Sequence, residues 1–228
     1  MALSFKNKGQ IAKQLVKAAQ YGDCDKIRTI LKEGGNINAI HNGLTPLHAA
    51  CKHGQDKVVN MLVQEPDIHP NLNDTKTGGK DGTTPLHQAC KHNQVNIVKT
   101  LLSLATINLN SRDNFQATPL HWACREGHQE IVSLLLTYKE TDVNTTDKEG
   151  SSPLHYACYH NMGACAQLLL AEPGIEVEKV DRNGNNVLHD VCTRNNMSCL
   201  QILSDEQQFS ALMSMKNYKH RTPFDEAM

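Results

Sequence analysis

Apolar and polar positions recur along this chain with a period near 34 residues, and each period opens on the same tetrad. The tetrad reads Thr or Ser, Pro, Leu, His, and it begins at Thr45, Thr84, Thr118 and Ser152, with weaker forms at Asn186 and Thr222. A hydroxyl followed by proline is typical of a helix start, because the hydroxyl caps an unpaired backbone N–H and proline needs none at the first helical position. The pattern predicts a short helix after each tetrad.

A second apolar stretch follows each of these helices after a polar break. Its apolar residues are spaced i, i+1, i+4, as in Val58, Val59 and Leu62. This spacing is typical of a helix that buries one face. Each period therefore predicts two helices, followed by an extended stretch that leads to the next tetrad.

A turn precedes each tetrad, and glycine usually stands two residues before the tetrad begins. Glycine supplies the positive φ that tight turns require. Gln116 and His220 occupy the glycine position in two periods, and there we expect a different turn geometry. The first two tetrads are 39 residues apart rather than 34, and the extra length in residues 70–80 predicts a long, mobile loop.

No single period can bury both of its helices, so neighbouring periods must stack. The period and the tetrad resemble the ankyrin repeat family over about residues 11–228. The resemblance implies an all-α repeat solenoid, an ankyrin stack of helix-turn-helix units with β-hairpin finger loops. It divides the chain into a capping repeat over 1–42, a repeat with an extended loop over 43–81, repeats over 82–115, 116–149 and 150–183, a divergent repeat over 184–219 and a partial repeat over 220–228.

Charge and hydropathy exclude several classes of partner. The 23 Lys and Arg against 24 Asp and Glu lack the positive field that holds a nucleic-acid backbone. No apolar run is long enough to cross a membrane, and the first ten residues lack a signal peptide. Five of the eight cysteines recur at one repeat position, which argues against a disulfide framework. We expect a monomer in a reducing compartment, the cytoplasm, with no nucleic acid or membrane as partner.

The most reactive pattern is His-x-x-Cys, which occurs in five repeats. The pairs are His48/Cys51, His87/Cys90, His121/Cys124, His155/Cys158 and His189/Cys192. Two ligands three residues apart share a helix face, but a structural zinc needs four converging ligands. The resemblance implies instead that the histidine hydrogen-bonds near its own turn and the next one, and that the cysteine replaces a buried alanine. We predict no catalytic residue, metal or cofactor, and keep a cysteine or metal hydrolase as the less favoured alternative.

The resemblance also places the residues after each Ala-Cys step on the concave side of a stack. These positions, the helix positions before them and the turn tips give the candidate partner-binding residues Phe115, Lys52, Lys91, Arg125, Tyr159, Trp122, Arg194 and His160. Exposed aromatic and arginine side chains dominate interface energetics. Core packing competes with binding for Trp122, and a solvated helix end competes for the lysines and arginines. We predict a non-catalytic module that binds another protein, an acidic segment with a hydrophobic anchor.

Two other roles stay open. The half-finished last repeat suggests the amino-terminal targeting arm of a larger effector or signalling protein, with its activity beyond Met228. The Asn and Lys usage resembles that of bacterial effectors, for which the host cytoplasm is the expected location. Asn38, Asn110 and Asn144 occupy a position that asparaginyl hydroxylases use in ankyrin proteins, so the chain is also a candidate substrate.

Overall fold

The computed structural model describes residues 5–74 and 81–228, and within these ranges the chain is helical. The one β pairing among them is an isolated antiparallel bridge between His41 and Leu44. The finger loops of the described residues are therefore turns without strands, which corrects the expected β-hairpins. In the same ranges no helix combines the length and the apolar character that crossing a membrane needs.

The chain divides into two compact units, the first ending at Phe115 and the second beginning at Gln116. The helices of the first unit are α1 (Phe5–Tyr21), α2 (Cys24–Lys32), α3 (Pro46–Lys52), α4 (Asp56–Leu62), α5 (Pro85–Lys91) and α6 (Val95–Leu102). Those of the second unit are α7 (Pro119–Glu126), α8 (Gln129–Leu136), α9 (Pro153–Tyr159), α10 (Gly163–Leu170), α11 (Val187–Arg194), α12 (Met197–Ser204), α13 (Phe209–Ser214) and α14 (Pro223–Ala227). In each unit these helices pack as successive pairs, so the predicted all-α repeat fold is confirmed.

The predicted helix starts are confirmed, and each tetrad forms a capping box. At α3, the His48 backbone N–H donates to Thr45 Oγ1 over 3.3 Å, and the Thr45 backbone N–H donates to His48 Nδ1 over 3.4 Å. The same reciprocal pairing caps α5, α7, α9, α11 and α14. Two backbone donors that the helix leaves unpaired are satisfied at every start.

The tetrad histidine also ties each repeat to the next one in its unit. In the first unit, His48 Nε2 lies 3.0 Å from the backbone oxygen of Thr83. In the second, His189 Nε2 lies 3.0 Å from that of Arg221. In His48, Nδ1 accepts in the capping box, so Nε2 carries the proton and donates to the Thr83 carbonyl. This is the role that the resemblance implied.

The residue two positions before each tetrad has a positive φ in every turn, and the exception predicted for Gln116 and His220 is wrong. Their φ angles are 62° and 61°, in the same left-handed region as the 84° of Gly150. Around His220, Asn217 Oδ1 accepts the backbone N–H of Lys219 over 3.0 Å. Local hydrogen bonds of this kind offset the about 1–2 kcal/mol that a left-handed residue costs.

The remaining observations concern the long loop and one helix that was not predicted. Asp74 and Thr83 close the base of the long loop, because the Thr83 N–H donates to Asp74 Oδ1 over 3.0 Å. Residues 75–80 of the predicted loop at 70–80 lie outside the described residues, so its length and mobility stay predictions. Helix α13 was not predicted. It forms where an extended stretch was expected, because Leu212 becomes fully buried and its carbonyl accepts the Asn186 amide over 2.9 Å.

Candidate functional site

In the first unit, the predicted contact residues lie at two helix ends and one turn tip. Lys52 ends α3 and is exposed, and Lys91 ends the neighbouring α5 and is half-buried. Phe115 is 54% exposed. Its backbone N–H donates to buried Asp113 Oδ1 over 2.8 Å, which holds the aromatic residue on a fixed turn. The expected exposure of Phe115 is observed, and its contact with a partner stays a prediction.

In the second unit, cations and aromatic rings pair at the helix ends. The Arg194 guanidinium carbon lies 4.1 Å from the centroid of the Tyr159 ring, and the His160 ring meets the same tyrosine edge-on at 5.1 Å. The Arg125 guanidinium carbon lies 5.0 Å from the centroid of Trp122. Trp122 itself is buried, so it belongs to the core rather than to the exposed contact residues. Its ring packs against the Arg125 guanidinium.

Three of the predicted residues line a cavity of about 270 Å³ in the second unit. They are Arg125, Tyr159 and His160. The other lining residues are Asp147, Glu149, Ser151, His155, Tyr156, Asp181 and Asp190. The sequence analysis missed the four carboxylates. A signal for two of them was present, because an aspartate recurs five residues before the tetrads of this region, at Asp113, Asp147 and Asp181.

Asp147 and Asp181 are held by the turns that they close. Asp147 Oδ1 accepts the backbone N–H of Ser151 over 2.8 Å, and its Oδ2 accepts the Tyr156 hydroxyl over 2.8 Å. Asp181 Oδ1 accepts the backbone N–H of Asn185 over 2.8 Å. These bonds fix the direction of both carboxylates. The carboxylates of Asp147 and Asp181 are therefore permanent features of the cavity wall.

Asp190 differs from the other acids of the cavity. It lies on α11 and makes no side-chain hydrogen bond or ion pair with the described residues. Burial, with a smaller contribution from the charge of Asp181, raises the pKa of Asp190 to about 7. Glu149, by contrast, has a cationic neighbour, since one of its carboxylate oxygens lies 3.6 Å from an Arg182 nitrogen.

The two histidines of the cavity add no positive charge at neutral pH. Burial lowers the pKa of His155, and the pKa of His160 is lowered by burial and then by nearby Arg125. The cation among the lining residues is then Arg125. The cavity therefore carries more negative than positive charge, although the whole chain is nearly neutral.

The His-x-x-Cys pairs occupy structural positions in both units. The cysteines Cys51, Cys90, Cys124 and Cys158 are fully buried, and burial raises the pKa of the Cys51 and Cys90 thiols. A thiol of raised pKa in an apolar site is a poor nucleophile and metal ligand. Across residues 5–74 and 81–228 no three His, Cys, Asp or Glu side chains are grouped to hold a metal ion.

Thiol labelling of the folded protein is expected to separate the cysteines by burial. Cys24 and Cys192 are partly exposed, and burial raises the pKa of Cys192. We expect Cys24 to react fastest, Cys192 more slowly, and the buried thiols only after unfolding, as followed by mass spectrometry of the labelled peptides. A fast-reacting thiol at Cys51 or Cys124 would contradict the structural assignment and favour the hydrolase alternative.

Two of the asparagines considered for hydroxylation bridge consecutive repeats. The Asn144 amide donates to the backbone oxygen of Gly174 over 2.8 Å, and its Oδ1 accepts the N–H of Glu176 over 3.0 Å. Asn38 makes equivalent bonds to Asp67 and His69. These side chains have a structural function in the folded repeats, and their modification stays a prediction.

Comparison with known proteins follows the repeat pattern. The family described as Ankyrin repeats (3 copies) matches residues 15–113 and 104–181. Among curated proteins, 58 residues are 36% identical to Rabankyrin-5 of Homo sapiens, and 61 residues are 33% identical to Potassium channel SKOR of Arabidopsis thaliana. These segments are 25% and 26% of this chain but only 5% and 7% of those two proteins.

Proposed function

The chain belongs to the ankyrin-repeat family, whose repeats form protein–protein interaction modules, and we propose that it is a non-catalytic module that binds a partner protein through the ends of its first helices and its finger turns. The observation that carries the proposal is Phe115. A large aromatic side chain that is 54% exposed on a hydrogen-bonded turn gains free energy when a partner covers it, and little ordering is required first.

The lysines of the first unit favour an acidic segment of the partner. Lys52 and Lys91 end two neighbouring helices at equivalent positions, so they offer two positive charges in register. Charges of this kind steer association and make affinity fall as salt rises. Phe115 supplies the hydrophobic contact of the same unit.

In the second unit, the arginine and tyrosine pairs support the same proposal. Arg194 and Tyr159 are stacked and exposed, and both are residue types enriched among the residues that dominate binding energy. The stacking holds both side chains before a partner arrives. Less side-chain entropy is then lost on binding.

A capture experiment tests the proposal. Immobilised wild-type protein is compared with Phe115→Ala and with the double variant Lys52→Glu/Lys91→Glu. Lys57→Glu is the matched control, because Lys57 is an exposed residue of the second helix α4 in the same unit, away from the ends of the first helices and from the turns. We expect wild type and control to retain the same partner from a cell lysate, Phe115→Ala to lose it, and the charge-reversed variant to bind more weakly with less salt dependence. Equal retention by all four proteins would contradict the proposal.

A second candidate function is a targeting arm within a larger protein. The observation that favours it is the small share of Rabankyrin-5 and Potassium channel SKOR that the matching repeats occupy. In this role the partner-binding surface would be the same. The cytoplasmic location and the effector role stay predictions.

A further inference from the structure

The cavity of the second unit contains a pair of carboxylates where the preceding repeat has a hydrogen bond. In the repeat of α9, the Tyr156 hydroxyl donates to Asp147 of its own turn. One repeat later, Asp190 stands at the position of Tyr156, and Asp181 at that of Asp147. The hydrogen-bonded tyrosine and aspartate of one repeat are thus replaced by two aspartates in the next. Arg125 lines the same cavity, but no described residue forms a hydrogen bond or ion pair with the Asp190 side chain.

The surroundings fit an organic cation better than a metal ion. The acids of the cavity are not grouped for metal coordination within the described ranges. The volume of about 270 Å³ accommodates a side chain, and Tyr156 and Tyr159 line it. Tyrosine rings attract ammonium and guanidinium groups through their faces and pack against alkyl chains.

The Tyr159 ring at the cavity already packs against one cation. Arg194 is stacked 4.1 Å from the centre of the Tyr159 ring, on the same first-helix ends that border the cavity. This stacking is an observation independent of the carboxylates. The Tyr159 ring therefore packs against a planar cation in this structure.

We propose that this cavity binds the cationic side chain of a lysine or arginine that a partner protein inserts, with the charged group at Asp190 and Asp181 and the alkyl stem along Tyr156 and Tyr159. The inference rests on the proposed function and specifies the chemistry of the partner. The inserted cation relieves the repulsion between the two acids. A neutral or acidic residue at the same place leaves the partly buried carboxylate of Asp190 without a cationic partner.

Small-molecule probes test the cavity without any partner. Nα-acetyl-lysine amide and Nα-acetyl-arginine amide are titrated into the full chain, and Nα-acetyl-norleucine amide serves as the uncharged isostere of the lysine probe. Binding is followed by NMR chemical shifts of backbone amides on α9 and α11. The variant is Asp190→Asn, and the matched control is Asp205→Asn, which removes an exposed aspartate beyond the cavity in the same unit.

We expect saturable shifts with at least one cationic probe, none with the norleucine probe, and an affinity about tenfold lower in Asp190→Asn but unchanged in Asp205→Asn. The stronger of the two cationic probes identifies the side chain. Equal responses to the norleucine and lysine probes, or unchanged cation affinity in Asp190→Asn, would overturn the inference. The probe titration contains no partner protein, so a negative probe result would not contradict a positive result of the capture experiment. Failed capture with successful probe binding would instead overturn the protein partner as the occupant.

Discussion

Asp190→Asn is expected to raise the free energy of unfolding at pH 8 by up to about 4 kcal/mol. The folded protein raises the pKa of Asp190 from the ordinary value of 3.8 to about 7, first through burial and then through the charge of Asp181. At pH 8 the folded chain holds a largely desolvated carboxylate that has no hydrogen-bond or ion-pair partner, and asparagine removes that charge with almost no change of shape. Urea unfolding at pH 8 measures the difference.

The sign of the pH dependence follows from the direction of this shift. Between pH 4 and 7 the folded state holds a proton on Asp190 that the unfolded state has lost. The contribution of Asp190 to stability is therefore fully present below about pH 4, falls as the pH rises, and is lost above about pH 7. The stability gained through Asp190→Asn should grow across this window and then become constant.

Other titrating groups require that wild type and variant are compared at each pH. Burial lowers the pKa of His48 and His155, so they destabilise the fold as the pH falls below 6.5, opposite to Asp190. The charged groups beside Asp190 in the cavity, Asp147, Glu149, Asp181 and Arg125, are present in both proteins. Asp205→Asn should leave the profile unchanged. A constant difference between wild type and Asp190→Asn from pH 4 to 8 would show that Asp190 has an ordinary pKa.

The repeat fold could be predicted from the sequence because the interactions that build it are local and recur. Thr45 caps the helix that contains His48, and His48 reaches the next turn, so one tetrad specifies both a helix start and a link between repeats. The conformation of the turn at His220 could not be predicted in this way. Its residue type disfavours positive φ, yet Asn217 Oδ1 accepts the backbone N–H groups of Lys219 and Arg221 on either side and stabilises the turn.

The cavity could not be predicted in the same way, because its character depends on the repeats differing. Tyr156 and Asp190 occupy the same position of successive repeats, and neither residue type is unusual there on its own. Only the structure shows that the Tyr156 hydroxyl donates to Asp147, while Asp190 shares a cavity with Asp181 and receives no such hydrogen bond. The exposed positions Phe115 and Arg194 were accessible from the sequence, because turn tips and helix ends are solvated in any stack of this kind.

His48→Ala is expected to lower the free energy of unfolding by about 3–5 kcal/mol. The His48 ring is completely buried, its Nδ1 lies 2.8 Å from Thr45 Oγ1, and its Nε2 lies 3.0 Å from the Thr83 carbonyl oxygen. Alanine leaves a cavity, and it leaves the hydroxyl and the carbonyl without their partner. The loss is measured by urea denaturation at pH 8, where His48 is neutral because burial lowers its pKa.

Two further variants separate the causes of this loss. His48→Leu restores most of the volume but none of the hydrogen bonds, so the loss that it retains, about 1–3 kcal/mol, measures the link from Thr45 through His48 to Thr83. His53→Ala is the matched control, because His53 lies on the exposed end of the same helix and should cost less than about 0.5 kcal/mol. If His48→Leu were as stable as wild type, the histidine would act through packing alone. The repeats would then be joined by their apolar faces, without the backbone link that the tetrad provides.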